Sequence, residues 1–349
     1  MLSLLGAAAP AWGAASFLVA DGSQPPAALG VCKDSYGIAW GAARSNRSEA
    51  PFHDAIGFLE YCHRLGAGGI QVGLAAAGSE DVARLRAKAE AYRMFVEAQV
   101  GLPRKPADVP RFEAEVRAAR QAGAEVVRGV APGGRRYEAF DSLQAFRRFV
   151  AQAQECLALA EPVLAKHRVR LALENHKDWR VGELLEVLKR LGSPQVGVCV
   201  DTGNSIALME DPMAVVEAYA PWAVTVHLKD MAVAEYEAGF LLSEVPLGEG
   251  FLELPKMVAA LRRAAAKIRF ALEMITRDPL QVPCLSAKYW ATMEDVPAGR
   301  FAQALTKIRA NAAGRPLPRV AGLSLEEKLQ AEDRNVRKSL QYARQHLGL

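Results

Sequence analysis

The sequence predicts an α/β fold, a (β/α)8 TIM barrel in a single domain with an additional C-terminal helix. Short apolar runs typical of strands alternate along the chain with longer segments of helical period. There are eight such runs, and eight parallel strands close into a barrel whose interior is filled by side chains. The alternative is an open doubly wound sheet. A glycine-rich phosphate turn after the first strand would indicate that fold, but residues 33–37 do not form one. We therefore expect the closed barrel.

The predicted strands are Leu29–Lys33, Gly69–Leu74, Met94–Val100, Glu125–Val130, Val169–Asn175, Val196–Asp201, Ala223–Lys229 and Ile268–Ile275. Amphipathic helices rich in Ala, Leu, Glu and Arg are predicted between them, at Asp54–Leu65, Glu80–Tyr92, Val109–Ala122, Leu143–Lys166, Val181–Leu191, Pro212–Ala220 and Pro255–Ala266. Glycines directly after three of these helices, at positions 66, 123 and 192, are typical stop signals. The additional helix is predicted at Leu325–Leu347.

The composition describes a soluble globular protein. The chain has 349 residues, of which 51% are hydrophobic and 23% are charged. Its 43 basic and 39 acidic side chains are interspersed, which argues against a nucleic-acid partner. The five cysteines are far apart and lack metal-site spacing, so we expect buried thiols.

The amino-terminal segment differs from the rest of the chain. Met1–Ala20 contains no charged residue, and its apolar stretch is followed by Pro10 and four small residues. This pattern is typical of a secretory signal, so we expect export to the periplasm, with a cytoplasmic location as the alternative. The segment is a weak membrane anchor, and we expect no stable membrane association. The predicted organisation is a signal-like segment and linker at 1–26, the barrel at 27–311, and a helical extension at 312–349.

Four predicted strands in the second half of the chain each end near an ionisable residue. These residues are Glu174, Asp201, His227 and Glu273. Taken singly, an acidic residue after a strand is more often a helix cap or a solvated loop residue. Four at the same level of consecutive strands are not explained by capping, because Glu and His are poor caps. In a barrel they converge at the carboxyl ends of the strands, where active sites lie.

Three carboxylates and one imidazole form a mixed oxygen and nitrogen ligand set for one divalent metal ion. Mn²⁺ is the expected ion, with Mg²⁺, Co²⁺ or Zn²⁺ as alternatives. Without a cation the three carboxylates repel one another, and at least one would stay protonated.

The motifs around these residues resemble those of the xylose isomerase-like TIM-barrel superfamily of sugar phosphate isomerases and epimerases. The matching motifs are Glu174-Asn175-His176, Asp201-Thr202-Gly203-Asn204, His227-Leu228-Lys229-Asp230 and Ala271-Leu272-Glu273. The resemblance covers about Leu29–Arg309 and implies the fold and a metal site, but it does not specify the reaction. Proteins that share the pattern include ketose 3-epimerases, hydroxypyruvate isomerase, dehydratases, enzymes of 3-keto-glycosides and endonuclease IV.

By this resemblance Glu174, Asp201, His227 and Glu273 are the metal ligands, and Glu174 and Glu273 are also the catalytic proton-transfer pair. A cation bound to the carbonyl and hydroxyl oxygens stabilises an enediolate. Return of the proton to the adjacent carbon gives isomerisation, and return to the other face of the same carbon gives epimerisation. Expulsion of a hydroxyl group instead gives a lyase. The expected contacts to the sugar substrate are His176, Asn204, Lys229, Arg135 and Arg277.

One position departs from the superfamily pattern. Many epimerases and the nuclease have a histidine where this chain has Asn204. An asparagine can bind a sugar hydroxyl but is a poor metal ligand, which argues against a nuclease. The expected function is a metal-dependent sugar isomerase or epimerase, with a lyase acting on a keto-sugar or cyclic polyol and a non-catalytic sugar-binding barrel as alternatives. The protein is a candidate for homo-oligomer formation.

Overall fold

The computed structural model describes residues 29–74, 77–293, 296–312, 314 and 316–349. The predicted segment 1–26 lies outside these residues, so the signal peptide and export stay predictions. The three segment boundaries also stay predictions. Within the described ranges, no helix combines the length and the apolar character that crossing a membrane requires.

The predicted closed barrel is confirmed, and all eight predicted strands are present in it. The strands are all parallel, and β10 pairs with β1 to close the ring. The barrel strands are β1 (Gly30–Cys32), β2 (Gly69–Gly73), β3 (Phe95–Gln99), β4 (Val126–Gly129), β5 (Arg170–Glu174), β6 (Val196–Asp201), β7 (Ala223–Leu228) and β10 (Phe270–Leu272). Their buried side chains form one core with the surrounding helices.

Helices follow the strands in the pattern that the sequence predicts. They are α1 (Gly37–Arg44), α2 (Ala55–Arg64), α3 (Ser79–Tyr92), α4 (Val109–Gln121), α5 (Arg136–Ala139), α6 (Leu143–His167), α7 (Val181–Leu191), α8 (Pro212–Tyr219), α9 (Leu254–Ala264), α10 (Ala287–Trp290), α11 (Ala298–Ala310) and α12 (Leu325–Tyr342). Short 3₁₀ turns lie at Lys33–Tyr36, Pro106–Asp108, Asn204–Leu208 and Ala220–Trp222, and a π-helical turn at Ala343–Leu347. All five cysteines are free and buried, as predicted.

A second, three-stranded antiparallel sheet follows the seventh barrel strand, where the sequence predicts only a long loop. It consists of β8 (Asp230–Tyr236), β9 (Gly239–Val245) and β11 (Leu280–Val282). One face of this sheet packs in a separate apolar cluster with α11. The Asp230 carboxylate ties the sheet to the next loop, because it accepts hydrogen bonds from the amides of Gly248, Gly250 and Leu252.

The predicted C-terminal helix is present as α12 and packs against the first β/α unit. Its apolar side chains belong to the main core. Both carboxylate oxygens of Glu332 accept hydrogen bonds from the amides of Ile38 and Ala39, at the amino-terminal end of α1. Asp333 accepts hydrogen bonds from the hydroxyls of Tyr36 and Tyr61. The last helix therefore closes the ring of helices against the first.

Glu332 gives the protein a pH-dependent stability. Burial raises the pKa of this carboxyl from 4.5 to about 7, although the two amides oppose the shift. The folded state therefore binds the proton more tightly, and the free energy of unfolding falls as the pH rises from about 5 to about 7. We expect a fall of roughly 1–3 kcal/mol from this group.

Urea denaturation of the wild type and of Glu332→Gln at pH 5 and pH 7.5 measures this effect. The difference between the two pH values should be smaller in the variant by roughly the contribution of this group, whereas Glu326→Gln, at an exposed position of the same helix, should keep the difference of the wild type. An equal pH dependence in all three proteins would contradict the assignment.

Candidate metal centre

Four neighbouring barrel strands bring the predicted metal ligands to one point. Glu174 and Asp201 are the last residues of β5 and β6, His227 is the penultimate residue of β7, and Glu273 directly follows β10. These strands are adjacent in the order β10-β7-β6-β5. One ligand atom from each of the four residues lies within 4.8 Å of the others, and all four side chains are buried. The convergence expected from the sequence is therefore present.

The two carboxylate oxygens of Asp201 have different roles, one in the turn that follows β6 and the other in the ligand cluster. Its Oδ1 atom accepts hydrogen bonds from the amides of Gly203 and Asn204, 2.9 and 2.8 Å away, at the start of the Asn204–Leu208 turn. Its Oδ2 atom is buried and accepts no aligned hydrogen bond, although Lys229 Nζ lies 3.1 Å away. One oxygen thus caps the turn, while the other is free to coordinate a cation.

His227 is oriented by a buried polar chain that the sequence analysis does not include. Gln71 donates a hydrogen bond to Glu97, so its Oε1 atom faces His227 Nε2 at 2.7 Å. An amide oxygen can only accept, which places the proton of His227 on Nε2. Thr225, two residues earlier in β7, also donates to Glu97. The chain fixes this proton on Nε2 and directs Nδ1 of His227 at the cluster.

The two glutamates flank this free nitrogen. His227 Nδ1 is 3.3 Å from Glu174 Oε2 and 3.3 Å from Glu273 Oε1. Arg128, from β4, donates to Glu174 from Nε at 2.6 Å and also from Nη2, and Nη2 lies 3.8 Å from Glu273. Lys229 Nζ is 2.5 Å from Glu273 Oε2. Two cations therefore neutralise part of the negative charge of the cluster.

The basic side chains around the cluster determine which of its carboxyl groups are ionised. Burial would raise the pKa of each, but Lys229, His227 and Arg128 outweigh it at Glu273 and hold that pKa well below its usual value. Arg128 has the same effect on the pKa of Glu174. At Asp201 burial prevails over the nearby Lys229 and raises the pKa to about 6. The glutamates are thus held as carboxylates.

The donor set fits a divalent metal ion. Buried atoms without a hydrogen-bond partner in the described part of the chain include Asp201 Oδ2 and His227 Nδ1, and both belong to the cluster. Such atoms are rarely left unpaired in a folded protein unless an unseen partner binds them. Three carboxylates and an imidazole are ligands for Mn²⁺, Mg²⁺, Co²⁺ or Zn²⁺. Cys32 and Cys199 also lie near His227, but burial raises the pKa of these thiols to about 12 and 11, so they stay protonated.

The predicted substrate contacts lie at different distances from the cluster. Asn204 donates to Glu174 Oε1, and its own Oδ1 accepts from Lys229. Half-buried His176 interacts electrostatically with Glu174 and Glu273, and burial, followed by the charge of Lys177, lowers its pKa to about 3.

The two predicted arginines contact other groups. Arg277 pairs with Glu244 of β9, with Nε 3.1 Å from Oε2, and its side chain is 27% exposed. Arg135 pairs with the exposed Glu138, 2.9 Å away, and makes none of the described contacts to the four ligands. The substrate-binding roles of all five residues stay predictions.

Four further residues complete the surroundings of the cluster without having been predicted there. They are Gln71, Arg128, Lys177 and Glu244. Gln71 and Arg128 are polar residues inside predicted apolar strands. A polar residue that interrupts an apolar strand can be recognised in the sequence as a candidate for a position in the site. Lys177 and Glu244 carry no comparable signal, because each lies in a segment that was predicted to be a loop.

Comparison with known proteins places this geometry in a family. A sequence family described as xylose isomerase-like TIM barrel matches residues 59–293, more than half of the chain. The protein belongs to this family. Solved structures with a similar fold include a D-psicose 3-epimerase, 14% identical, with a TM-score of 0.58 over 92% of this chain and 100% of that one. A probable 3-DHS dehydratase from Bacillus anthracis is 17% identical, with a TM-score of 0.53 over 70% of this chain and 91% of that one.

A sequence relative of the chain belongs to a different reaction class. A 3-oxo-isoapionate decarboxylase from Pectobacterium atrosepticum is 34% identical over 113 residues. The match spans 31% of this chain and 41% of that protein, which is less than half of the relative's length. Proteins similar to this chain thus include a decarboxylase by sequence, and an epimerase and a probable dehydratase by fold.

The Gln71 contact predicts a measurable change in metal affinity. Replacing Gln71 with Leu removes the acceptor that fixes the proton on His227 Nε2. Loss of such an orienting contact typically lowers metal affinity about 10–100-fold. Calorimetric titration of metal-stripped protein with Mn²⁺ should show this loss, with about one ion bound per chain in the wild type. Gln152→Leu, at an exposed position of α6, should bind as the wild type does, and an unchanged affinity in Gln71→Leu would refute the role of the polar chain.

Proposed function

We propose that the protein is a divalent-metal-dependent sugar isomerase or epimerase that transfers a proton through an enediolate. The observation that supports this most directly is the placement of Glu174 and Glu273 on either side of His227 Nδ1, at 3.3 Å each. Two ionised carboxylates beside one cation-binding point are the arrangement needed to remove a proton from a carbon and to return it. The expected ion is Mn²⁺, and we retain export to the periplasm as part of the proposal.

Glu174, Asp201, His227 and Glu273 would hold the ion, which supplies charge stabilisation for the oxygens of an enediolate. The carboxylate of Glu174 or Glu273 accepts the proton from the carbon next to the substrate carbonyl. Arg128 and Lys229 keep these glutamates ionised before the transfer. Return of the proton to the neighbouring carbon isomerises the sugar, and return to the opposite face of the same carbon epimerises it.

Deuterium incorporation tests the proton transfer. The Mn²⁺-loaded protein, incubated in deuterated water with a panel of ketoses and 3-keto-sugars, should place deuterium on carbon without loss of water or carbon dioxide. Glu273→Gln should slow the exchange about 10²–10⁴-fold, because it removes one proton acceptor. Glu186→Gln, on the exposed surface of α7, should exchange at the wild-type rate. Metal-loaded wild-type protein that exchanges with none of these sugars would exclude the isomerase.

A lyase is the second candidate, and it is favoured by the decarboxylase among the sequence relatives. Loss of carbon dioxide from a 3-oxo acid also leaves an enolate, which the same ion would stabilise, and a proton taken up from solvent through Glu174 or Glu273 would complete the reaction. The cations around the cluster suit an anionic substrate.

Detection of released carbon dioxide distinguishes the two reactions. Carbon dioxide formed from a 3-oxo sugar acid by the Mn²⁺-loaded protein, at a rate that chelation reduces to background, would establish the lyase. Deuterium exchange with full retention of carbon would establish the isomerase or epimerase instead.

A further inference from the structure

Lys177 is a buried cation that forms no ion pair with any carboxylate in the described part of the chain. Its side chain is 1% exposed, and its described hydrogen bond is to the side-chain oxygen of Asn204. Within the described residues, the other buried Lys and Arg side chains are Arg136, paired with Glu183, and Lys229, paired with Asp201 and Glu273. No carboxylate among those residues forms an ion pair with Lys177. Burial of an ammonium group is unfavourable unless an anion compensates it.

The position of Lys177 connects it to the metal centre. Asn204 Oδ1 accepts hydrogen bonds from both Lys177 and Lys229, while the amide group of Asn204 donates to Glu174. The ammonium group of Lys177 also interacts electrostatically with Glu244 and Arg277. An anion bound to Lys177 would therefore lie beside the proposed metal ligands.

The charge balance of the site favours an anionic ligand. The cluster and its immediate surroundings contain four carboxylates and four cations, namely Glu174, Asp201, Glu244 and Glu273 with Arg128, Lys177, Lys229 and Arg277. When a divalent ion is bound by a neutral His227, these groups and the ion together carry an excess of two positive charges. A substrate that carries its own negative charge reduces that excess, whereas a neutral sugar does not.

A buried hydroxyl on the same side adds a further unpaired group. Tyr137 is 3% exposed, and its hydroxyl has no hydrogen-bond partner among the described residues. Its hydroxyl interacts electrostatically with Arg277 and Glu244, the pair that also acts on Lys177. A donor without a described partner, near the same charged pair as Lys177, is suited to the oxygens of a carboxylate.

We propose that Lys177 binds a carboxylate group of the substrate, so that the protein acts on a keto-sugar acid and not on a neutral sugar. The proposal rests on the proposed function, because it places the acid in the same metal site. A carboxylate would give Lys177 the ion pair that it lacks and would complete the hydrogen bonds of a buried ammonium group.

A matched pair of ligands tests this proposal. D-Fructose and 2-keto-D-gluconate differ only in that the first carbon is a hydroxymethyl group in one and a carboxylate in the other. We expect the Mn²⁺-loaded wild type to bind the acid more tightly in calorimetric titration. Lys177→Met should reduce this preference, the ratio of the two affinities, at least about tenfold, because one charged hydrogen bond to the acid is lost. Lys256→Met, at an exposed surface position, should keep the preference.

A carboxylate can also bind the metal ion directly, so a preference for the acid in the wild type alone does not identify Lys177 as its partner. The comparison of the wild type with Lys177→Met separates these two contacts. An equal preference for the acid in the wild type and in Lys177→Met, or no preference in the wild type, would overturn the proposal. Tighter binding of D-fructose 1-phosphate than of the acid, dependent on Lys177, would replace the carboxylate with a phosphate and also overturn it.

Thermal unfolding without ligand provides a second readout. Lys177→Met should unfold at the same or a higher temperature than the wild type, because the variant no longer buries an unpaired charge. A clear decrease in the melting temperature would assign Lys177 a structural role and contradict the proposal. The proposed function is tested separately from the carboxylate site. If no sugar exchanges deuterium but the preference for the acid depends on Lys177, the isomerase is excluded and the carboxylate site is retained.

Discussion

The whole site depends on one electrostatic constraint, which is that three carboxylates lie buried within reach of a single cation. Like charges at such separations strongly disfavour one another in a medium with little water. Arg128 and Lys229 offset this repulsion, because their cationic groups contact Glu174 and Glu273. The imidazole of His227 lies next to both glutamates, with Nδ1 3.3 Å from a carboxylate oxygen of each. Every feature of the proposed chemistry follows from the need to stabilise this negative charge.

The fold was largely predictable because it is determined by local patterns. Buried parallel strands appear as continuous apolar runs, and all eight predicted strands lie within a few residues of the observed ones. The four ligands were predictable for a related reason, since the carboxyl ends of parallel strands meet at one face of a barrel. Residues that are distant along the chain could therefore be grouped by their place at the strand ends.

The remaining parts of the site were not predictable in the same way, because they depend on which side chains meet after the barrel has closed. Gln71 and His227 are 156 residues apart, and only the closed ring places Gln71 next to the imidazole. The hairpin of β8 and β9 was predicted as a loop, although Phe240 and Leu242 alternate with partly exposed or polar neighbours as in a strand. As a result, the role of Glu244 as a partner of Arg277 was missed.

The contacts of the last helix have a consequence for how the protein is made. Glu332 binds the amides of Ile38 and Ala39, which precede it by 294 and 293 residues. A ribosome synthesises the first β/α unit long before α12, so the nascent chain carries an incomplete ring of helices until α12 has been made. Contacts between residues so far apart form slowly, because the intervening chain must be ordered first. Docking of α12 on α1 is therefore a late step in the folding of this barrel.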